Sequence, residues 1–215
     1  MIAWQADFGY AQVMETSLEL RPGRLYLILA PRQPGRRVMT EFTARLALEG
    51  EVRVLDAGNW FEAHAIARLV RRRTADLETV LERVRVARAF TCYQVIALLD
   101  QSPAGPAPTL VLNLLSTFMD ESVPLVERER LLGQAIAHLR RLSRLAPVAV
   151  SAVPAPASAD ELLLSPYNLG ERRFAPGGGP PDPGQLAAMV TSLEESVDQV
   201  LRFLYPEQPL QGKLW

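Results

Sequence analysis

The sequence predicts an α/β fold in three layers, with a mostly parallel sheet between two layers of helices. Two observations carry this expectation. Short apolar runs, RLYLILA at 24–30, TLVLNLL at 109–115 and VAVSAV at 148–153, are too short for helices and read as buried strands. Stretches with apolar residues at helical spacing alternate with them, and strands alternating with helices imply a parallel sheet.

The first strand, 24–30, follows Pro22 and Gly23, and a turn punctuated by Pro31 and Pro34 comes next. A helix is expected over 37–48, where Val38, Phe42, Ala44, Leu46 and Ala47 form an inward face and Gly50 supplies the stop. Residues 51–57 (EVRVLDA) alternate like a strand. Residues 62–73 put Ile66, Leu69 and Val70 on one helical face and end in Arg71, Arg72 and Arg73, where the helix dipole favours cations. Leu77, Val80, Leu81 and Val84 are spaced for another helix, followed by an extended piece at 86–90 and a helix near 94–100. Past the loop SPAGPAP and the strand at 109–115, the clearest helix covers 126–145, with Leu132, Ala135, Ile136, Leu139, Leu142 and Leu145 inward. Pro147 opens the strand at 148–153. The Pro/Gly-rich stretch 154–184 exceeds an ordinary connection. A last helix is expected over 185–205, with Leu193, Val197, Val200, Leu201 and Leu204 among its inward residues. The expected organisation is an N-terminal edge strand or arm over 1–20, a core over 21–153, a loop over 154–184, and a C-terminal helix and tail over 185–215.

Composition narrows the function classes. With 215 residues, 48% of them hydrophobic, the chain can bury one sizeable core. A formal net charge of -1 gives no global field for a polyanion, so nucleic acid would need a local basic patch. The single cysteine, Cys92, excludes an intramolecular disulfide and a cysteine-cluster metal site, and reads as a small buried apolar residue. His64 and His138 lack a histidine or cysteine at ligand spacing, so no metal is expected. The first ten residues hold no basic signal region and no apolar run reaches the roughly 18 residues that span a bilayer, which points to a soluble, cytoplasmic protein without a membrane partner. The only lysine is Lys213, so lysine chemistry is excluded from the core.

RVARAFTCYQ at 85–94 resembles the V-A-R-A-F stretch, with its following glutamine, of the RecA/RadA family of archaeal and eukaryotic recombinases. LVLNLLSTF at 110–118 resembles their Walker B strand, and 131–153 resembles the helix and strand after it. The similarity covers about residues 20–155. It implies a RecA-like P-loop NTPase fold and places the P-loop, GxxxxGK[ST], at 30–37.

Tested position by position, that site is degenerate. Ala30 replaces the first glycine, and Pro31 and Pro34 each lack the N–H a phosphate cradle uses. Gly35 is retained. Arg36 stands at the lysine position, where a planar fork is not equivalent to a compact ammonium, and Arg37 stands where a hydroxyl would hold magnesium. Asn113 occupies the Walker B aspartate position, and Ala57-Gly58-Asn59 follow Asp56 where the family carries a water-positioning glutamate. The resemblance thus implies a pseudo-ATPase with no catalytic residues and no cofactor, acting on itself as a homo-oligomer or on an active RecA-family recombinase in DNA repair. Two other readings stay open: a divergent ATPase in which Arg36 replaces the lysine and Asp56 or Asp120 serves the metal, and a DNA-binding accessory module.

The last reading draws on Arg71, Arg72 and Arg73, with Arg68 one turn earlier, and on Arg172 and Arg173, set against an ordinary charged helix end. The loops that bind single-stranded DNA in the recombinases are not basic here: Asp120 and Glu121 stand in the first, and Asp160, Glu161, Glu171 and Asp182 in the second. Phe8-Gly9-Tyr10-Ala11 matches the short Phe-x-x-Ala docking peptide of the same family, though an N-terminal edge strand also accounts for its aromatics.

Overall fold

The computed structural model describes residues 19–154 and 182–203. The chain runs β1 (Leu25–Leu29), α1 (Arg32–Glu49), β2 (Val52–Asp56), α2 (Ala63–Arg71), α3 (Leu77–Glu82), β3 (Val84–Arg88), α4 (Cys92–Gln101) and β4 (Thr109–Leu112). A 3-10 turn at Leu114–Met119, α5 (Leu125–Ser143), β5 (Val148–Ala152), α6 (Pro183–Glu195) and β6 (Gln199–Arg202) follow. The six strands form one sheet in the order β3-β2-β4-β5-β1-β6, and every pairing is parallel.

Alternation along each strand divides the core in two. Leu25, Leu27 and Leu29 of β1 face one cluster with Val111, Val148 and Val150, covered by α4, α5 and α6. Tyr26 and Ile28 face the other with Val54, Leu110, Leu112 and Ala149, covered by α1, α2 and α3. All of β1, β4 and β5 is therefore buried, which is why their sequences are apolar almost throughout rather than at every second position, with Thr109 and Ser151 the buried polar exceptions. The outer strands β3 and β6 are partly exposed and read as mixed sequence.

Arginines finish helices from a distance. Arg83 Nη1 donates to the carbonyls of Ala47 and Leu48 at the end of α1, at 3.2 and 3.1 Å. Arg141 Nη2 donates to the carbonyls of Leu99, Asp100 and Ser102 at 2.8, 3.3 and 3.0 Å, in the last turn of α4 and just past it. These carbonyls have no acceptor role left within their helix, so a cation satisfies both the hydrogen bonds and the dipole. At its start α4 is capped by Thr91, whose hydroxyl accepts from Gln94 N–H at 3.2 Å while Gln94 Oε1 accepts from Phe90 N–H at 2.8 Å. The glutamine that follows VARAF is thus part of a reciprocal cap.

Three expectations are corrected. The turn expected over 30–37 is not a loop: α1 begins at Arg32, with Pro31 as its N-cap. Proline fits the first helical turn, where its missing N–H has no partner to lose, so Pro31 and Pro34 open a helix instead of breaking a loop. The helix expected over 185–205 ends at Glu195, and Gln199–Arg202 is a strand. There the free edge of β1 outweighs helical periodicity: Asp198 accepts from Leu25 N–H at 2.7 Å and Tyr26–Leu29 pair with Gln199–Arg202. Leu145, expected inward, is 58% exposed. Most of the expected edge strand over 1–20 and most of the loop over 154–184 lie outside the described residues. No helix among the described residues is long and apolar enough to cross a membrane.

If Arg141 caps α4, Arg141→Ala lowers unfolding free energy by about 1–2 kcal/mol in urea, since bonds from a charged donor to partly buried carbonyls are lost. Arg144→Ala, at an exposed position without a side-chain hydrogen bond among the described residues, changes it by less than about 0.5 kcal/mol.

Candidate functional site

In an open parallel sheet, ligand crevices form at the carboxyl ends of adjacent strands whose following helices lie on opposite faces. Three such places occur here. β3 leads to α4 and its neighbour β2 to α2, on opposite faces; β2 leads to α2 and its neighbour β4 to α5, again on opposite faces; and β1 leads to α1 while its neighbour β5 leads to α6, also on opposite faces. Ala30, Gly35, Arg36, Asn113 and Asp56 all cluster at the carboxyl ends of β1, β2 and β4.

The β1 end is closed by packing. Only Ala30 and Pro31 separate β1 from α1, and Gly35 N–H already donates to Pro31 O at 2.8 Å as a helical bond. Trp60, 1% exposed, lies on this turn: a Cβ at Gly35 would stand 2.8 Å from its Cζ3 and 3.0 Å from its Cη2. Gly35 therefore serves the close approach of an indole. Arg36 turns to Glu62, with Nη2 2.5 Å from Oε1, so its charge has a protein counterion. Arg37 stands on the exposed side of α1.

The β2–β4 end is also filled. Asn113 sits at φ 49°, ψ 57°, a left-handed conformation uncommon outside glycine, and its N–H donates to Ser151 Oγ at 2.9 Å. Its side chain lies over Gly58, where an added Cβ would come 2.4 Å from Asn113 Cβ. Gly58 thus permits Asn113, and Ser116 Oγ closes the same junction by donating to Ala57 O at 2.6 Å.

Asp56 is fully buried, and its carboxylate is engaged by the protein itself. Oδ1 accepts from Trp60 N–H at 2.8 Å, while Oδ2 accepts from Phe61 N–H at 3.2 Å and Arg88 Nε at 3.1 Å. This is a loop-shaping acid. The other candidate metal acid, Asp120, lies beyond the 3-10 turn, where hydrogen bonds from Ser122 hold its carboxyl below the usual range. Among the described residues no group of three or more His, Cys, Asp or Glu is arranged to hold a metal.

The remaining candidates scatter. His64 is on α2 and His138 on α5, opposite sides of the sheet, with His138 Nδ1 3.8 Å from Asp100 Oδ1. Cys92 is buried, and burial raises its thiol pKa, which fits an apolar packing role. Arg71 and Arg72 are exposed at the end of α2, while Arg73 pairs with Glu41 at 3.7 Å. Arg172, Arg173 and Phe8-Gly9-Tyr10-Ala11 lie outside the described residues. Sequence reasoning missed Trp60 and Glu62, the residues that fill the site. The available signal was the aromatic pair Trp60-Phe61 directly after Asn59, in a segment with no periodicity of its own.

The fit of Trp60 against α1 is open to a double-mutant cycle. Gly35→Ala gains about 1 kcal/mol of helix propensity but overpacks against a buried ring, for a net loss of about 1–2 kcal/mol in urea unfolding. In a Trp60→Leu background the same change stabilises. Equal effects in both backgrounds would show that the indole does not press on the helix.

Comparison with protein-family models finds no match to the chain, and comparison with curated proteins finds none at significance, so what this site can do rests on its own residues.

Proposed function

We propose that the chain is a RecA-like pseudo-ATPase that acts by protein contact, as a homo-oligomer or as an accessory to an active RecA-family recombinase. One observation carries the reading. The position of the phosphate-binding loop is occupied by the first turn of α1, packed under Trp60, with Arg36 neutralised by Glu62. A phosphate cradle needs several free N–H groups converging on a concave loop. Here Pro31 and Pro34 have none, and that of Gly35 is spent inside the helix. The all-parallel sheet, with β5 between β1 and β4, supports the fold assignment, and the repair setting follows from the sequence resemblance alone.

For contact with a partner, the edge of β3 is the favoured surface. Among the described residues it pairs only with β2, leaving its other side open. Val86, Phe90 and Tyr93 are 43%, 71% and 50% exposed on or just after it. An open edge flanked by exposed apolar side chains suits strand addition by another chain.

Calorimetric titration with magnesium-ATP is expected to show no binding tighter than about 100 µM; tighter binding that Arg36→Ala weakens would overturn the reading. Light scattering is expected to report a species above the monomer mass, returned to monomer by Phe90→Glu with Tyr93→Glu. A native monomer that also captures no active recombinase removes the case for a scaffold.

A further inference from the structure

The side of α2 turned away from the core carries a row of cations that the function above does not use. His64, Arg68, Arg71 and Arg72 are all exposed, while Ile66 and Val70 are buried beneath them. At about 100° per residue the four fall within an arc of roughly 100°, opposite the buried pair. The sequence holds no acid between Glu62 and Asp76. Among the described residues, the side chains of Arg68, Arg71 and Arg72 enter no ion pair or hydrogen bond, whereas Arg73 beside them is paired with Glu41.

The helix dipole explains only part of this row. Its field acts over the last turn, which holds Arg68 and Arg71. The row continues past the helix end to Arg72, and arginines three and four residues apart, as Arg68 is from Arg71 and Arg72, repel one another. A surface that concentrates unpaired arginines in a chain of net charge -1 is suited to a dense anionic partner.

The geometry favours a duplex over a single strand. From Arg68 to Arg72 the helix rises about 6 Å, enough for the three arginines to face about two or three phosphates along one strand at roughly 3.4 Å of axis each. Single-strand sites add aromatic platforms for unstacked bases. None of the exposed large apolar side chains, which include Phe90 and Tyr93, lies on α2. We propose that this face of α2, through Arg68, Arg71 and Arg72, binds the phosphate backbone of duplex DNA.

Fluorescence anisotropy of the full chain with a labelled duplex of about 20 base pairs tests this between about 50 and about 200 mM KCl. Three phosphate contacts predict a slope of about −3 in log K against log salt, since each releases about 0.9 of a counterion. At the lower salt, Arg68→Glu with Arg71→Glu is expected to weaken binding at least about tenfold, and the neutral pair Arg68→Gln with Arg71→Gln by less, in keeping with electrostatic attraction. Arg24→Glu with Arg144→Glu makes the same change in net charge away from α2 and is expected to weaken it less than about twofold. Four results overturn the proposal: no binding at the lower salt, a flat salt response, equal losses from the two glutamate pairs, or tighter binding of a single strand of the same sequence. Binding of polyglutamate without binding of the duplex would do so too, and would point to an acidic protein segment instead.

Discussion

The buried carboxylate of Asp56 organises the carboxyl end of this sheet. It sits at the last residue of β2 and collects Trp60 N–H, Phe61 N–H and Arg88 Nε. An isolated carboxylate at that depth would cost several kcal/mol, and the charge-assisted bonds offset that cost only while all three donors are held in place. Two of them are backbone groups of the loop after β2, so the loop has one shape available. That shape carries the indole of Trp60 to Gly35 and Glu62 to Arg36. The third donor belongs to the last residue of β3, so the same carboxylate ties the outer strand to its neighbour at the end where α4 begins.

The consequences spread along the chain. With Trp60 on it, the segment after β1 has no room to bulge as a loop and instead continues α1 back to Arg32, two residues past Ala30. The junction of β2 and β4 is shaped by the same economy of space. Gly58 lets the left-handed Asn113 side chain lie directly on the backbone, and Ser116 closes over Ala57. Two places where an open α/β sheet ordinarily offers a crevice are therefore occupied by the protein's own side chains.

The central strands were legible in the sequence because burial on both faces makes β1, β4 and β5 apolar except at Thr109 and Ser151, so each reads as a short, nearly continuous apolar run. β6 was not legible. Val197, Val200 and Leu201 continue the helical spacing of Leu193, and only the free edge of β1, which no local pattern announces, decides for a strand. The start of α1 was misread for a different reason. Pro31 and Pro34 mark a turn or the first turn of a helix with equal force, and the choice depends on whether a ligand or a side chain lies above Gly35. The identities at Ala30, Gly35, Arg36, Arg37 and Asn113 were plain from the sequence, but their partners were not, since Trp60, Glu62 and Gly58 meet them only through the path that Asp56 imposes. The row on α2 was half visible: Arg71 and Arg72 stood out as a charge run, while the separation of Arg73, paired with Glu41, from the unpaired face needed coordinates.

These dependences bear on how far the site stands from one that holds phosphate. A lysine at position 36 would still face Glu62, and a threonine at 37 would still stand on the exposed side of α1. Recovering a cradle requires the first turn of α1 to unwind, which requires Trp60 to leave Gly35. Trp60 in turn is anchored by the N–H it gives Asp56. Each step exposes buried apolar surface or strands a buried charge, at a cost of several kcal/mol against the 5–15 kcal/mol or so by which a domain is stable. The residues at this end of the sheet therefore form one packed arrangement, and a single change such as Arg36→Lys leaves it in place.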